Sequence, residues 1–437
     1  MKLTIHRGTH EIGGNCVEIA TAATRVVLDV GLPFDRIGKG ASGQSQDVDE
    51  RISAIFRKSP PVSAVILSHA HADHTGLLNL VPSNVPIYCS EGTSMMMKAG
   101  WTYARQKDVP RTRKRILTER EPARIGDITV MGHPVDHSAF GSMALEIEAD
   151  GQRILYSGDL RLHGRKPGMA RKLFHSLRGK VVDVLLMEGT HFLGNRLPGP
   201  TEKELEELIL ADIKSAPNLV LASFSPMHVD RLVAFYKATR RAGRVFAVDH
   251  YAGFVLHLVS KIAKIPRPLA SERIRVFRPK FQKLSPTVSR CFPGSQITLK
   301  DILADPRRYV MLFRPSMLKS DFPAGLPEHV RCLYSYWSGY LDNTDWLSTR
   351  AKIQEAGGDL VERHTSGHIF RRDVAEFIRR INYRIIIPIH TTMPEAFEPI
   401  FKHTRLLTDG QEIDLNEAGR VATGVFHPGV QYSFGGT

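Results

Sequence analysis

The chain has 437 residues, 42% of them hydrophobic and 24% charged, and its 59 Lys+Arg against 45 Asp+Glu leave a formal net charge of +14. Fractions this ordinary exclude a disordered chain or a fibre, and the length suffices for two or three domains with a large core. The four cysteines, Cys16, Cys89, Cys291 and Cys332, form no CxxC pair, which excludes a Cys-ligated zinc ribbon, argues against a disulfide scaffold and fits a reducing compartment.

No apolar run reaches the roughly 20 residues that cross a bilayer, and Met1 to Arg7 carries no small-residue cleavage pattern, so a cytoplasmic protein without membrane contact is expected. In chain order, Leu3 to Ile5, Cys16 to Ile19 and Val26 to Asp29 read as strands. A glycine-rich loop from Gly38 to Gln46 leads into a helix from Val48 to Lys58 with Ile52, Ile55 and Phe56 on one face. Val62 to Leu67 reads as a buried strand that runs directly into Ser68-His69-Ala70-His71-Ala72-Asp73-His74. The densest basic run, Arg105 to Arg124, fits a solvated surface and a polyanion contact equally well. Further strands are expected at Ile87 to Cys89, Ile128 to Met131, Ser142 to Glu148, Arg153 to Tyr156 and Val182 to Met187, a mixed sheet with few long helices between its strands.

The pattern changes after Gly194 to Pro200. Thr201 and Glu204 form a capping-box pair, and Leu205, Leu208, Ile209 and Ile213 recur at helical spacing. A strand from Leu219 to Phe224, a helix from Val229 to Arg241 and a strand from Arg244 to Val248 then alternate as in a doubly wound α/β unit. The expected organisation is an inserted domain at 197–346 between two parts of one lobe, 1–196 and 347–437. In the return segment, Ile353 to Leu360 reads as helix or loop, Arg371 to Ile381 as helix and Tyr383 to Ile389 as buried strand.

His69, His71, Asp73 and His74 form an H-x-H-x-D-H pattern. In extended chain, residues two apart point the same way, so His69 and His71 can chelate one ion while Asp73 and His74, past the turn, reach a second. Imidazole and carboxylate suit Zn²⁺, with Mn²⁺ possible where oxygen dominates. Further donors follow apolar runs or turns: His137, Asp159 in Tyr156-Ser157-Gly158-Asp159, and His390 in Ile387-Pro388-Ile389-His390-Thr391. Glu188 ends another apolar strand, and His368 closes His364-Thr365-Ser366-Gly367-His368; a carboxylate bonded to His368 would keep it protonated as a general acid, with His364 and Ser366 beside it.

With Asp29 ending an early strand, this ordered set resembles the metallo-beta-lactamase fold, an αββα sandwich. The resemblance implies that His69, His71 and His137 hold one metal, that Asp73, His74 and His390 hold the other, that Asp159 bridges them, and that Asp29 supports the H-x-H-x-D-H loop. Glu188, Ser366-Gly367-His368 and His390 extend the resemblance to the nucleic-acid-cleaving beta-CASP branch, whose inserted domain is a doubly wound α/β unit. Within it, Gly8 to Cys16, His364 to His368, Ile387 to Thr391 and Thr408 to Ile413 look most like ribonuclease J and its prokaryotic relatives.

The resemblance implies a two-zinc phosphodiesterase acting on single-stranded RNA, with DNA as the alternative, in which His368, aided by Glu188, protonates the leaving 3′-oxygen. Ser223 and Ser225 are candidate phosphate contacts. Among Tyr334, Tyr336, Trp337 and Tyr340, the last two are the candidates for stacking on bases. Two departures stand out. Ribonuclease J continues into a C-terminal domain involved in dimer formation, whereas this sequence ends at Thr437, which leaves a homodimer an open expectation. Its glycine-rich phosphate-binding stretch is replaced here by Phe313 to Leu318, so recognition of a 5′-monophosphate does not carry over. A lactone or thioester hydrolase of the same superfold would explain the H-x-H-x-D-H pattern but give the insert, Glu188 and His368 no purpose.

Overall fold

The computed structural model describes residues 1–36, 46–104, 106–192, 198–269, 273–280, 282 and 286–416. Residues 38–45 of the expected glycine-rich loop, Arg105, and the expected boundary at 196–197 lie outside them.

Period-two alternation builds the first lobe. In the strand Arg25–Leu28, Val26 and Leu28 enter one core and Val27 another; in Val62–Ile66, Ala64 and Ile66 join the first and Val65 the second. Burial on both faces is why these segments read as unbroken apolar runs. A seven-stranded sheet runs in the order Glu412–Asp414, Lys2–Arg7, Cys16–Ala20, Arg25–Leu28, Val62–Ile66, Ile87–Cys89, Lys114–Ile116. A six-stranded sheet runs Tyr383–Ile389, Val182–Glu188, Gln152–Tyr156, Met143–Ala149, Ile128–Pro134, Pro122–Ile125. Their inner faces share one core, where Leu3, Ile19, Leu28 and Ile66 meet Val130, Ile147, Ile154 and Leu186. Helices Gln46–Arg57 and Glu91–Ala104 cover the outer face of the first sheet, and Gly168–Ser176 and Arg371–Arg379 that of the second, giving the αββα sandwich expected.

A third, six-stranded sheet is parallel throughout, in the order Ile274–Phe277, Val245–Asp249, Tyr309–Leu312, Val220–Ser223, Arg331–Tyr334, Asp359–Glu362. Helices Glu202–Ser215, Val229–Arg241 and His250–Val259 pack on one face and Thr344–Glu355 on the other. Thr201 and Glu204 make the reciprocal capping-box bonds. The whole is the α/β sandwich of the metallo-beta-lactamase/beta-CASP architecture.

Two local differences from the sequence reading have physical reasons. Helix Glu91–Ala104 stands where few long helices were expected. It is wedged between the first sheet and helix His250–Val259, with Tyr103 stacked on Tyr251 at 5.4 Å, so Thr93, Ser94, Met96, Met97, Ala99 and Gly100 are all buried and no clean stripe shows. The third sheet runs past Trp346, because Thr344–Glu355 turns back across it and Asp359–Glu362 pairs in parallel with Arg331–Tyr334. Of the basic run, Lys114, Arg115 and Arg124 lie on Lys114–Ile116 and Pro122–Ile125, the outermost strands of the first and second sheets. Charged side chains there guard sheet edges against further pairing. Among the described residues no helix is long and apolar enough to cross a membrane, and all four cysteines are free.

Candidate metal centre

The strand Val62–Ile66 ends just before Ser68, and a one-turn helix, Ala72–Thr75, begins after His71. This change of direction separates the donors of the H-x-H-x-D-H segment. His69 and His71 group with His137 and Asp159, whereas Asp73 and His74 group with Asp159 and His390, the donor atoms within each group lying within 4.8 Å of one another. A third, overlapping group joins Asp159 and His390 to Glu188 and His368. Nine of the ten residues expected at the metal site, its support and its acid are thus brought together, and the tenth, Asp29, bonds His74 from behind.

Asp29 shows how the scaffold aims them. It follows strand Arg25–Leu28 with φ 57°, a left-handed conformation uncommon outside glycine. Its carboxylate accepts from the Ser68 amide at 2.8 Å and from Ser68 Oγ, Tyr156 OH and His74 Nδ1, each at 2.7 Å. Donation from Nδ1 leaves His74 Nε2 facing the cluster, 3.2 Å from Asp159 Oδ2. His137 is fixed likewise: Nδ1 donates to the Gly367 carbonyl at 2.7 Å, and Nε2 approaches His71 Nδ1 at 3.1 Å, itself 3.2 Å from His69 Nε2. His390, also left-handed at φ 51°, holds Nδ1 2.8 Å from Thr190 Oγ1 and Nε2 3.4 Å from Asp73 Oδ2.

The electrostatics follow from burial. Desolvation, with neighbouring imidazoles, holds His69 and His137 well below the usual histidine range. Burial works against ionisation of Asp159, yet His390, His74 and His368 outweigh it and keep this carboxyl well below the usual range. Neutral imidazole lone pairs and a buried carboxylate therefore converge. Both oxygens of Asp159 and Nε2 of His74 are buried without a hydrogen-bond partner. Such atoms are costly unless satisfied. Converging N and O donors of this type suit divalent cations, so the residues fit the implied metal pair.

Glu188, at the end of strand Val182–Glu188, accepts from the Leu160 amide at 2.8 Å through Oε1 and from His368 Nδ1 at 3.0 Å through Oε2. Burial opposes charge on His368, but Glu188 and Asp159 prevail and push its pKa up to about 9. Ser366 Oγ accepts from the His368 amide at 3.0 Å and lies 2.6 Å from His191 Nε2, so it shapes the turn that carries His368. His364 Nδ1 donates to the Ser335 carbonyl at 3.1 Å, and burial with Arg231 nearby pushes its pKa down to about 4.

The two serines of the third sheet are engaged elsewhere. Ser223 is fully buried and donates to the Phe313 carbonyl at 3.1 Å, and Ser225 Oγ accepts from the Met227 amide at 3.3 Å. Of the four aromatics, Tyr334 is buried, whereas Trp337 and Tyr340 are 43% and 36% exposed. Sequence reasoning did not single out Thr190 or Tyr156, nor Arg161, two residues beyond Asp159. Arg161 is fully buried and bonds Asp136, Glu202 and Asp230, each at 2.8 Å, as well as the Ser366 carbonyl at 3.1 Å. Only the position of Arg161 beside Asp159 could have drawn attention to it.

The site is compatible with two-metal hydrolysis, and comparisons with known proteins agree. Residues 25–229 match the beta-lactamase superfamily domain. An RNase J-like protein of Methanocaldococcus jannaschii is 28% identical over 58% of this chain and 59% of its own length. A ribonuclease J of Sinorhizobium meliloti is 28% identical over 75% of this chain and 57% of its own. The matched stretch thus spans somewhat over half the length of these curated relatives. A crystal structure of a protein of unknown function from Enterococcus faecalis superposes over 94% of this chain and 99% of its own with a TM-score of 0.76 at 21% identity, a likeness of fold. Residues 25–229 of the chain are thus similar to the beta-lactamase superfamily domain, and the chain is distantly similar to RNase J-like proteins.

Proposed function

We propose that the protein is a metal-dependent nuclease that hydrolyses phosphodiester bonds of single-stranded nucleic acid, RNA in preference to DNA. The observation that carries the reading is the Glu188–His368 pair beside Asp159: a buried carboxylate holds an imidazole protonated at the edge of the two donor groups. The preference for RNA rests on the relatives named ribonuclease J.

In this reading His69, His71 and His137 would hold one Zn²⁺ or Mn²⁺, Asp73, His74 and His390 would hold the other, and Asp159 would serve both. Such a pair, when bound, supplies Lewis acidity toward a phosphate and lowers the pKa of a water. The chain's own residues do the rest. Asp29, Thr190 and the Gly367 carbonyl hold the imidazoles in single tautomers. As water, giving up one proton to solvent, adds to phosphorus and the P–O3′ bond breaks, His368 gives its Nε2 proton to the departing 3′-oxygen and keeps its Nδ1 proton in the hydrogen bond to Glu188. Trp337 and Tyr340 are the exposed aromatics retained from the expected substrate contacts; Ser366 and His364 act through the turn before His368, and Ser223 and Ser225 are not carried forward. The same reading begins the insert near residue 198 and ends it at Glu362, where the third sheet closes.

End-labelled RNA and DNA, bearing 5′-phosphate or 5′-hydroxyl, digested with Zn²⁺ or Mn²⁺, test the proposal. RNA is cut faster than DNA, and the ladder reports polarity and end requirement. Equal cutting by a variant carrying Asp73→Ala and His74→Ala, or turnover of lactones and thioesters without nucleolysis, overturns it.

A further inference from the structure

Three aromatic rings from two distant parts of the chain meet in one cluster. Phe34, 45% exposed, lies 6.5 Å from Trp337, which lies 5.4 Å from Tyr340, with interplanar angles of 74° and 85°. The segment carrying Phe34 is fastened to the H-x-H-x-D-H turn: the Leu32 amide donates to the Ala72 carbonyl at 2.9 Å, and Pro33 bridges to Gly13, where an added Cβ would meet Asp73 Cβ at 2.8 Å. Tyr340 joins the cluster from the short helix Ser338–Asp342, next to the third sheet, through its contact with Trp337.

The rings are held in position. The buried Tyr334 donates through its hydroxyl to the Trp337 carbonyl at 2.8 Å, and the Tyr340 amide donates to that same carbonyl at 3.1 Å. The indole folds over Gly339, where an added Cβ would come within 2.4 Å of the ring. Edge-to-face packing leaves ring faces open that parallel stacking would have consumed. Exposed aromatic faces next to a site for phosphodiester hydrolysis match the unpaired base of a nucleotide whose phosphate lies at the donor cluster, because every base has a π-face and a paired base does not offer it.

We infer that Phe34, Trp337 and Tyr340 form a stacking site for one unpaired nucleobase at the entrance to the metal centre, assembled jointly by the first lobe and the insert. This rests on the proposed action on single strands. It makes Gly339 a positioning residue, since only glycine leaves room for the indole.

The test uses the full-length, metal-loaded protein and single-stranded RNA with 2-aminopurine at successive positions, its fluorescence followed in stopped flow before cleavage, alongside steady-state kinetics. One position is quenched in the wild type. Trp337→Ala and Gly339→Ala lose that quench and raise KM at least about fivefold at unchanged kcat, whereas Trp337→Phe and Tyr340→Phe, which keep a ring, retain most of it. An abasic residue at the quenched position abolishes the difference between wild type and Trp337→Ala. Unchanged quench and KM in Trp337→Ala, Phe34→Ala and Gly339→Ala, in a protein that still cuts RNA, overturn the stacking site alone. A wild type that neither binds nor cuts single strands overturns the nuclease reading and the stacking site with it.

Discussion

Two buried polar clusters lie two residues apart along the chain and are built in opposite ways. At Asp159, both carboxylate oxygens lack a hydrogen-bond partner, and so does Nε2 of the facing His74. At Arg161, every guanidinium nitrogen is taken, by Asp136, Glu202, Asp230 and the Ser366 carbonyl. Arg231 completes this second cluster, bonding Glu202, Ser335 and the Thr365 carbonyl, so it ties helices Glu202–Ser215 and Val229–Arg241 to the turn before His368. A buried group left without a partner is tolerated only where something else satisfies it; a buried charge fully paired within the protein is a clamp. The difference separates a ligand site from a structural joint, although both are rich in the same residue types.

The strongest way to break the contrast is Asp159→Ala. The proposed nuclease activity is expected to fall roughly a thousand-fold or more, since the several kcal/mol of charge stabilisation that bound ions would supply goes with the site, and bound metal measured by elemental analysis falls with it. Metal content and turnover, rather than unfolding, are the measurements that register this change. The joint should respond the other way. Arg161→Ala leaves three carboxylates facing one another and is expected to cost about 3–5 kcal/mol in denaturant unfolding, and a loss below about 1 kcal/mol would contradict its role as a clamp.

Acid stability probes a paired carboxylate remote from both clusters. Glu18 is bonded to His6 at 2.8 Å and Arg25 at 2.7 Å, and although burial opposes its ionisation, these partners pull its pKa down to about 2 from 4.5. A depressed folded pKa means stability present above the unfolded value and lost as pH falls through the window from about 4.5 to about 2. The loss amounts to at most about 3 kcal/mol. Denaturant titrations across that window should show this slope in the wild type and a flatter one in Glu18→Gln. The smallest effect sharpens the metal side: Asp29→Asn should weaken metal binding by about 10–100-fold, read by competition with a chromophoric chelator, because His74 loses the acceptor that fixes its tautomer.

Much of the first lobe was legible because its signals are local. A strand with alternate faces in two cores reads as an apolar run, and Asp29, Asp159, Glu188 and His390 each stand where such a run or its turn ends. Helix Glu91–Ala104 was not legible, since packing between a sheet and another helix removes the polar face by which a helix is read. The last strand of the third sheet was not legible for a similar reason: Asp359–Glu362 is short and none of its residues is fully buried, and only pairing with Arg331–Tyr334 makes it part of a sheet. Ser223 and Ser225 show the limit for polar residues, because a serine at a strand end can face a cleft or tie a turn, and the partner decides.

By itself the sequence determined the donor types, their order and the fold that such an order accompanies, since these depend on residue identity and short-range periodicity. Only the tertiary structure decided which side chains meet. Glu188 and His368 are 180 residues apart and Phe34 and Trp337 come from different lobes, yet sheet register and loop anchoring place each pair in contact. The same holds for the distinction between Asp159 and Arg161: both are charged and buried, and only the arrangement of partners from remote strands leaves one open to an ion and the other closed.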